Sequence, residues 1–178
     1  MNIIETRRLR LVPVVRTDIA DIHQMNSIPD VARFNTIGIP GNIEVTEKML
    51  EKLFDEKQSS TRGWTIRRQF DDQFIGVIGM NLAAERFRMA EMHYSLLPDY
   101  WGQGYATEAV RGLIGYAFEE LGLHRLEAGV ATGNLASIRV LEKAGMTREG
   151  LKRKILPIRG TWVDNFHYAI LDEDERDY

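Results

Sequence analysis

Gly102 and Gly104 stand between an apolar run broken by Pro98 and a helical pattern, in Leu96-Leu97-Pro98-Asp99-Tyr100-Trp101-Gly102-Gln103-Gly104-Tyr105-Ala106-Thr107. Lacking a Cβ, both glycines let a ligand approach the backbone, and the first amides of the following helix have no internal acceptors. Free N–H donors at the positive end of a helix dipole are a site for phosphate. The spacing narrows the ligand. It is not the G-x-x-x-x-G-K-[ST] loop, and Ala106 comes too soon to stand for the third glycine of a dinucleotide fingerprint. The chain has no cysteine, which excludes disulfides, thiolate metal sites and a cysteinyl thioester intermediate. His23, His93, His124 and His167 lack H-x-x-x-H spacing, so no metal site is expected.

The segment that delivers the chain to this loop, residues 89–97, reads as a strand. Ala90, Met92, Tyr94 and Leu96 share one face, and Glu91, His93 and Ser95 share the other. A sheet covered on both sides would exclude such a polar row, so this face is either wet or lines a cavity for a polar acceptor. Before it, residues 64–68 and 74–80 form a hairpin about a turn at Asp71 and Asp72, and a second turn at 85–88 completes an antiparallel meander. Residues 5–13 give a first strand that ends at Pro13. Thr17 is placed to cap a helix carrying Ile19, Ile22 and Met25; Val31 and Phe34 suggest a further turn. After the break at Gly38, Pro40 and Gly41, a second helix carries Met49, Leu50, Leu53 and Phe54 on one stripe, so these early helices form an acceptor wall or plain core.

Beyond the glycine loop, Ala106, Ala109, Val110, Leu113, Ile114, Ala117 and Leu121 recur at helical spacing up to Gly122. Gly112 and Gly115 inside that helix suggest a close approach to the sheet, or plain tolerance. Residues 125–132 are a strand, and Asn134 caps a helix with Leu135, Ile138 and Leu141 inward and Gly145 past its end. A final hairpin turns at Arg159-Gly160, and residues 172–178 are a charged end expected to fray.

Trp101-Gly102-Gln103-Gly104-Tyr105-Ala106 resembles the pyrophosphate loop of the GCN5-related N-acetyltransferases, usually Q/R-x-x-G-x-G/A, with Trp101 in place of the first residue. Asn134-Leu135-Ala136-Ser137, followed by Glu142-Lys143-Ala144-Gly145-Met146, resembles the second signature of the same family. Arg159-Gly160-Thr161-Trp162-Val163-Asp164 through Tyr168-Ala169-Ile170-Leu171 is similar to its Rim-type branch of ribosomal-protein N-terminal acetyltransferases. The resemblance covers nearly the whole chain from Glu5 onward. It implies an α/β (α+β) fold with a mixed, mostly antiparallel sheet of about seven strands, two splayed parallel strands at its centre and helices on both faces. It further implies acetyl-CoA as co-substrate, held by Ser95, Leu96 and Leu97 along the pantetheine arm. Trp101, Gly102, Gln103, Gly104, Tyr105, Ala106 and Thr107 would hold the pyrophosphate, with Asn134 near the arm. Many members carry a tyrosine where this chain has Leu141, and the branch points to Ser137 as the substitute proton donor to the leaving thiolate, or as a residue that only satisfies local backbone. An amine acceptor needs a base, for which Glu91 is the first candidate and His93 shares its face.

The size, 178 residues with 44% hydrophobic and 28% charged, fits a single domain, 1–178, with a sizeable core. A net charge of -3 argues against nucleic acid as the principal partner. Neither a membrane-spanning run nor a signal peptide is read, so the expected location is cytoplasmic. The leading reading is an acetyl-CoA-dependent N-acetyltransferase acting on a protein N-terminal amine or a small amine. A non-catalytic acyl-CoA sensor and a polyamine or amino-acid acetyltransferase stay open, as does a homodimer formed through the sheet edge or the final hairpin.

Overall fold

The computed structural model describes residues 2–54, 60–176 and 178. One sheet runs in the order β1 (Ile4–Glu5), β2 (Leu9–Pro13), β3 (Thr61–Arg68), β4 (Phe74–Leu82), β5 (Met89–Leu96), β6 (Arg125–Ala131), β8 (Thr161–Leu171), β7 (Thr147–Ile158). All neighbours are antiparallel except β5 and β6. The eighth strand, beyond the seven expected, is the two-residue β1, too short to show an alternating pattern of its own. A tight turn, in which Thr6 N–H donates to Leu9 C=O at 2.9 Å, separates it from β2.

Helices cover both faces. On one side lie α4 (Tyr105–Glu119) and α5 (Leu135–Lys143). The inner stripe of α4, Ala109, Val110, Leu113, Ile114 and Ala117, is fully buried against Ile66, Ile78, Met80 and Leu126. The helix ends two residues before Leu121, where Gly122 supplies a left-handed φ of 60°. On the other face, α1 (Ile19–Asn26), the single turn α2 (Pro29–Ala32) and α3 (Ile43–Phe54) close a smaller core of Val14, Ile22, Met25 and Phe74. Thr17 does not cap α1. It sits in a 3-10 turn at Arg16–Asp18, and the cap position falls to Asp18. The Asp18 carboxylate is used elsewhere: it accepts from Val15 N–H at 2.9 Å and from Arg67 at 2.8 Å.

The charged end is tied down rather than frayed. Asp172 N–H donates to His124 C=O, the His124 ring meets the Asp172 carboxylate at 2.8 Å, and Arg176 lies over Phe118. Asp177 lies outside the described residues.

The N-terminal segment is locked to the helix that follows the glycine loop. Glu108, in the first turn of α4, accepts from Thr6 Oγ1 (2.7 Å), Arg8 N–H (2.6 Å) and Arg8 Nε (2.7 Å). Gly112, one turn later, allows the contact, since a Cβ there would sit 2.8 Å from Thr6 Cγ2; a Cβ on Gly115 would meet nothing within 4 Å. Only one of the two glycines therefore marks a close approach. Burial opposes ionisation of Glu108, but the bonds from Thr6 and Arg8 outweigh it and hold its pKa below the ordinary carboxylate value. A depressed folded-state pKa stabilises the fold above the ordinary carboxylate range, and this contribution is lost as pH falls through it. Glu108→Ala is expected to cost about 1–3 kcal/mol at pH 7 by stranding these donors. Chemical denaturation at pH 7 and again at pH 3 measures it, and the deficit should shrink at the lower pH.

Candidate active site

Three features converge at the centre of the sheet. The first is the glycine loop. Gly102 and Gly104 have φ of 72° and 80°, and Gly104 caps α4 with no side-chain bond to its first turn. The first bond of the helix is Glu108 N–H to Gly104 C=O at 3.0 Å. Among the described residues, the amides of Gly102, Gln103, Gly104, Tyr105, Ala106 and Thr107 donate to no protein acceptor. The loop is open to solvent, so these six donors can be satisfied by an anion. Arg8 backs the loop: its Nη1 donates to Gln103 C=O at 3.2 Å and its guanidinium lies 4.4 Å from the centre of the Tyr105 ring. Trp101 braces it from the strand side, Nε1 donating to Leu96 C=O at 2.8 Å, and Gln103 Nε2 returns to Asp99 C=O.

The second feature is a gap between β5 and β6. They pair only at Met89↔Arg125, Ala90↔Leu126 and Glu91↔Glu127, then part, although β5 continues to Leu96 and β6 to Ala131. Bonding pairs alternate in an antiparallel ladder. Ala83 N–H bonds Met89 C=O and Leu97 N–H bonds Ile75 C=O, so Glu91, His93, Ser95 and Leu97 spend their backbone groups on β4. The backbone groups of Tyr94 and Leu96 turn the other way, into the gap. The same alternation against β8, anchored by Thr132 N–H to Asp164 C=O, turns Gly129 and Ala131 into it from the other side. Asn134 N–H is already bonded to Ala131 C=O at 2.8 Å, and its side chain accepts from Ser137 N–H, the cap expected for α5.

Across the gap, Tyr94 Oη and Ser137 Oγ share a 2.7 Å hydrogen bond. Burial raises the Tyr94 pKa to about 12 against a smaller lowering by Ser137, so its proton is retained through the neutral range. Tyr94 is the residue that sequence reasoning missed. It lies on the apolar face of β5, where an aromatic ring reads as core, and only the tertiary fold brings it to α5. Leu141, on the next turn of α5, is buried in the core, at 1% exposure.

The third feature is the polar face. Glu91 and His93 project from it, exposed, while Ala90, Met92 and Leu96 are buried on the other side. The Glu91 side chain makes no hydrogen bond or ion pair among the described residues. His93 lies over Gly79, where a Cβ would meet its ring at 2.9 Å. The protein mass around this recess lowers the His93 pKa, so at neutral pH the ring is uncharged. Beside Glu91 in register is Glu127, which accepts from Arg125 Nε at 2.6 Å and faces His167 Nε2 at 3.4 Å. At the β7–β8 turn, Arg159 donates to the carbonyls of Ala32, the last residue of α2, and Asn35. Among the described residues no three His, Asp or Glu side chains cluster to hold a metal, and no helix is long and apolar enough to cross a membrane.

Known proteins are similar to this chain in sequence and in fold. Residues 8–147 match the family described as an acetyltransferase (GNAT) domain. YoaA, an uncharacterized N-acetyltransferase of Bacillus subtilis, is 34% identical over 97% of this chain and 98% of its own. YdaF of the same organism, whose name assigns it provisionally to ribosomal N-acetylation, is 35% identical over 59% of this chain and 57% of its own. A GNAT-family acetyltransferase from Bacillus anthracis superposes with a TM-score of 0.85 at 28% identity, covering 97% of this chain and 100% of the other. The spermidine N-acetyltransferase of Vibrio cholerae, solved with CoA and spermine, superposes at 0.84 and 22% identity over 94% and 97%, a likeness of fold.

Gly104→Ala places a Cβ in the left-handed region, 3.4 Å from Arg8 Nη2. The strain of about 1–2 kcal/mol falls on the loop. CoA binding measured by calorimetry should weaken roughly tenfold or more while the circular dichroism spectrum is kept.

Proposed function

The chain belongs to the GNAT family of acetyl-CoA-dependent acetyltransferases, and on that premise we propose that it moves the acetyl group directly onto the α-amine of a polypeptide. The observation that carries this reading is the meeting of a free-amide loop, an unpaired backbone gap and a hydroxyl pair beside a polar wall. The residues fit acetyl-CoA: donors at residues 102–107 suit a diphosphate, and the backbone groups of Tyr94 and Gly129 with the Leu96 N–H suit an extended amide-bearing arm. When bound, acetyl-CoA supplies the activated acetyl thioester.

Each step then has a residue. Leu96 N–H faces the gap and can polarise a carbonyl placed there. An amine attacks only when neutral, and Glu91, unpaired and at the mouth of the gap, is the base, directly or through a water. His93 is uncharged at neutral pH and extends the same wall. The departing sulfur needs a proton, which Ser137 can pass on from Tyr94 across their 2.7 Å bond. The rest of the rate comes from holding two reactants together, worth up to about 7–11 kcal/mol in favourable cases.

The relationship to YdaF supports a ribosomal-protein-like N-terminus as acceptor. A polyamine is the second reading, supported by Glu91 and Glu127 lying side by side where a multiply charged cation would enter. A third, a CoA sensor without turnover, draws only on Leu141 and is opposed by the Tyr94–Ser137 pair.

Release of free thiol from acetyl-CoA against ribosomal N-terminal peptides, polyamines and amino acids separates these readings; no turnover with any amine rejects the first two. Glu91→Gln is expected to lower kcat roughly 100-fold with little change in acetyl-CoA affinity. Ser137→Ala and Tyr94→Phe should each lower kcat at least about tenfold with little change in acetyl-CoA affinity, and the double variant should be no worse than the poorer single one. Equal turnover in Ser137→Ala and the parent would exclude the relay.

A further inference from the structure

Among the described residues, two buried polar atoms on β8 have no hydrogen-bond partner: Asn165 Oδ1 and His167 Nδ1. Asn165 is 6% exposed and shares its row of β8 with Val163, His167 and Ala169. Buried polar atoms are nearly always paired, because an unmet acceptor keeps the cost of its lost hydration. Two such atoms two residues apart in one strand share a face. That face is the one carrying Glu91, His93 and Glu127, because Glu127 pairs with Ala169 and Gly129 with His167.

Their chemistry is the same. His167 Nε2 faces Glu127 Oε1 at 3.4 Å, which favours the tautomer with the hydrogen on Nε2 and the lone pair on Nδ1. Asn165 Oδ1 is a carbonyl. Both therefore await a donor. The Asn165 amide also leans toward the gap, lying over Gly129 so closely that a Cβ there would be 2.8 Å from Nδ2. Gly129 is the β6 residue whose backbone lines the gap, so the Asn165 amide lies beside the gap.

We infer that Asn165 Oδ1 and His167 Nδ1 bind N–H groups of the amine acceptor, a site that rests on the reading of this face as the acceptor side. An ammonium brings donors without acceptors, and the N–H of a peptide amide brings one, so either fits lone pairs beside carboxylates. A carboxylate has no such match. Asn165 is then a binding residue whose buried carbonyl costs stability in the free protein and is satisfied by substrate.

Asn165→Leu keeps the volume and removes the polar atoms. The expected result is a KM for the amine raised about tenfold or more, acetyl-CoA affinity within twofold by calorimetry, and a Tm equal to or above that of the parent. An unchanged amine KM overturns the inference. So does a lower Tm with loss of acetyl-CoA binding, the mark of a purely structural residue. Independently of turnover, the imidazole ¹⁵N resonances of His167 in the parent protein with CoA should move on titration with spermidine or with a pentapeptide bearing a free α-amine, and whichever titrant moves them identifies the source. No movement with either overturns the site. Failure of the parent to acetylate any amine rejects the proposed activity instead, and is read separately from these shifts.

Discussion

A sheet cannot leave backbone donors and acceptors unpaired at its centre without something to meet them, and this chain does so between β5 and β6. Three register pairs hold the strands together and then each is committed elsewhere, β5 to β4 and β6 to β8. Neither strand can swing across to close the gap without breaking a longer ladder. Pro98 and the glycine loop carry the chain away from the sheet into α4, and the Tyr94–Ser137 bond spans the opening. The site is thus a consequence of pairing. The polar row borders this gap and the Tyr94–Ser137 hydroxyl pair lies across it.

Charge is arranged to the same end. An acidic residue in the first turn of α4 suits the helix dipole but opposes a phosphate bound at its amides. Arg8 resolves the conflict by pairing with Glu108 while touching the loop at Gln103. The N-terminal segment therefore serves the glycine loop although nearly one hundred residues separate them in sequence.

Much of this could be read from residue order. Periodicity located α4, α5 and the meander, and glycine spacing located the loop, because each signal is local and each residue type has a narrow physical use. The polar row of β5 was also visible, since alternation with Ala90, Met92 and Leu96 sets Glu91 and His93 apart. What was not legible depends on contacts distant in sequence. Tyr94 reads as core until α5 is seen to bring Ser137 to its hydroxyl. Thr17 has the chemistry of a cap, but Asp18 takes the cap position because Arg67 and Val15 fix its carboxylate there. Residues 172–176 have the composition of a loose end, and only the positions of His124 and Phe118 explain why they are held. Backbone direction within β5 is likewise invisible in sequence, and it turns Leu96 to the gap while Ser95 and Leu97 face β4.

The sheet ends on one side at β1, which offers two residues, and on the other at β7, which offers twelve. The longer margin is interrupted. Its register against β8 shifts twice, Lys154 adopts a left-handed φ of 50°, and Pro157 presents no N–H. Lys152, Arg153 and Lys154 place like charges along the same stretch. Such a border resists strand-by-strand annealing with other chains, which is how open sheets avoid runaway polymerisation. A second copy of the protein would have to meet this margin through side chains rather than by extending the sheet.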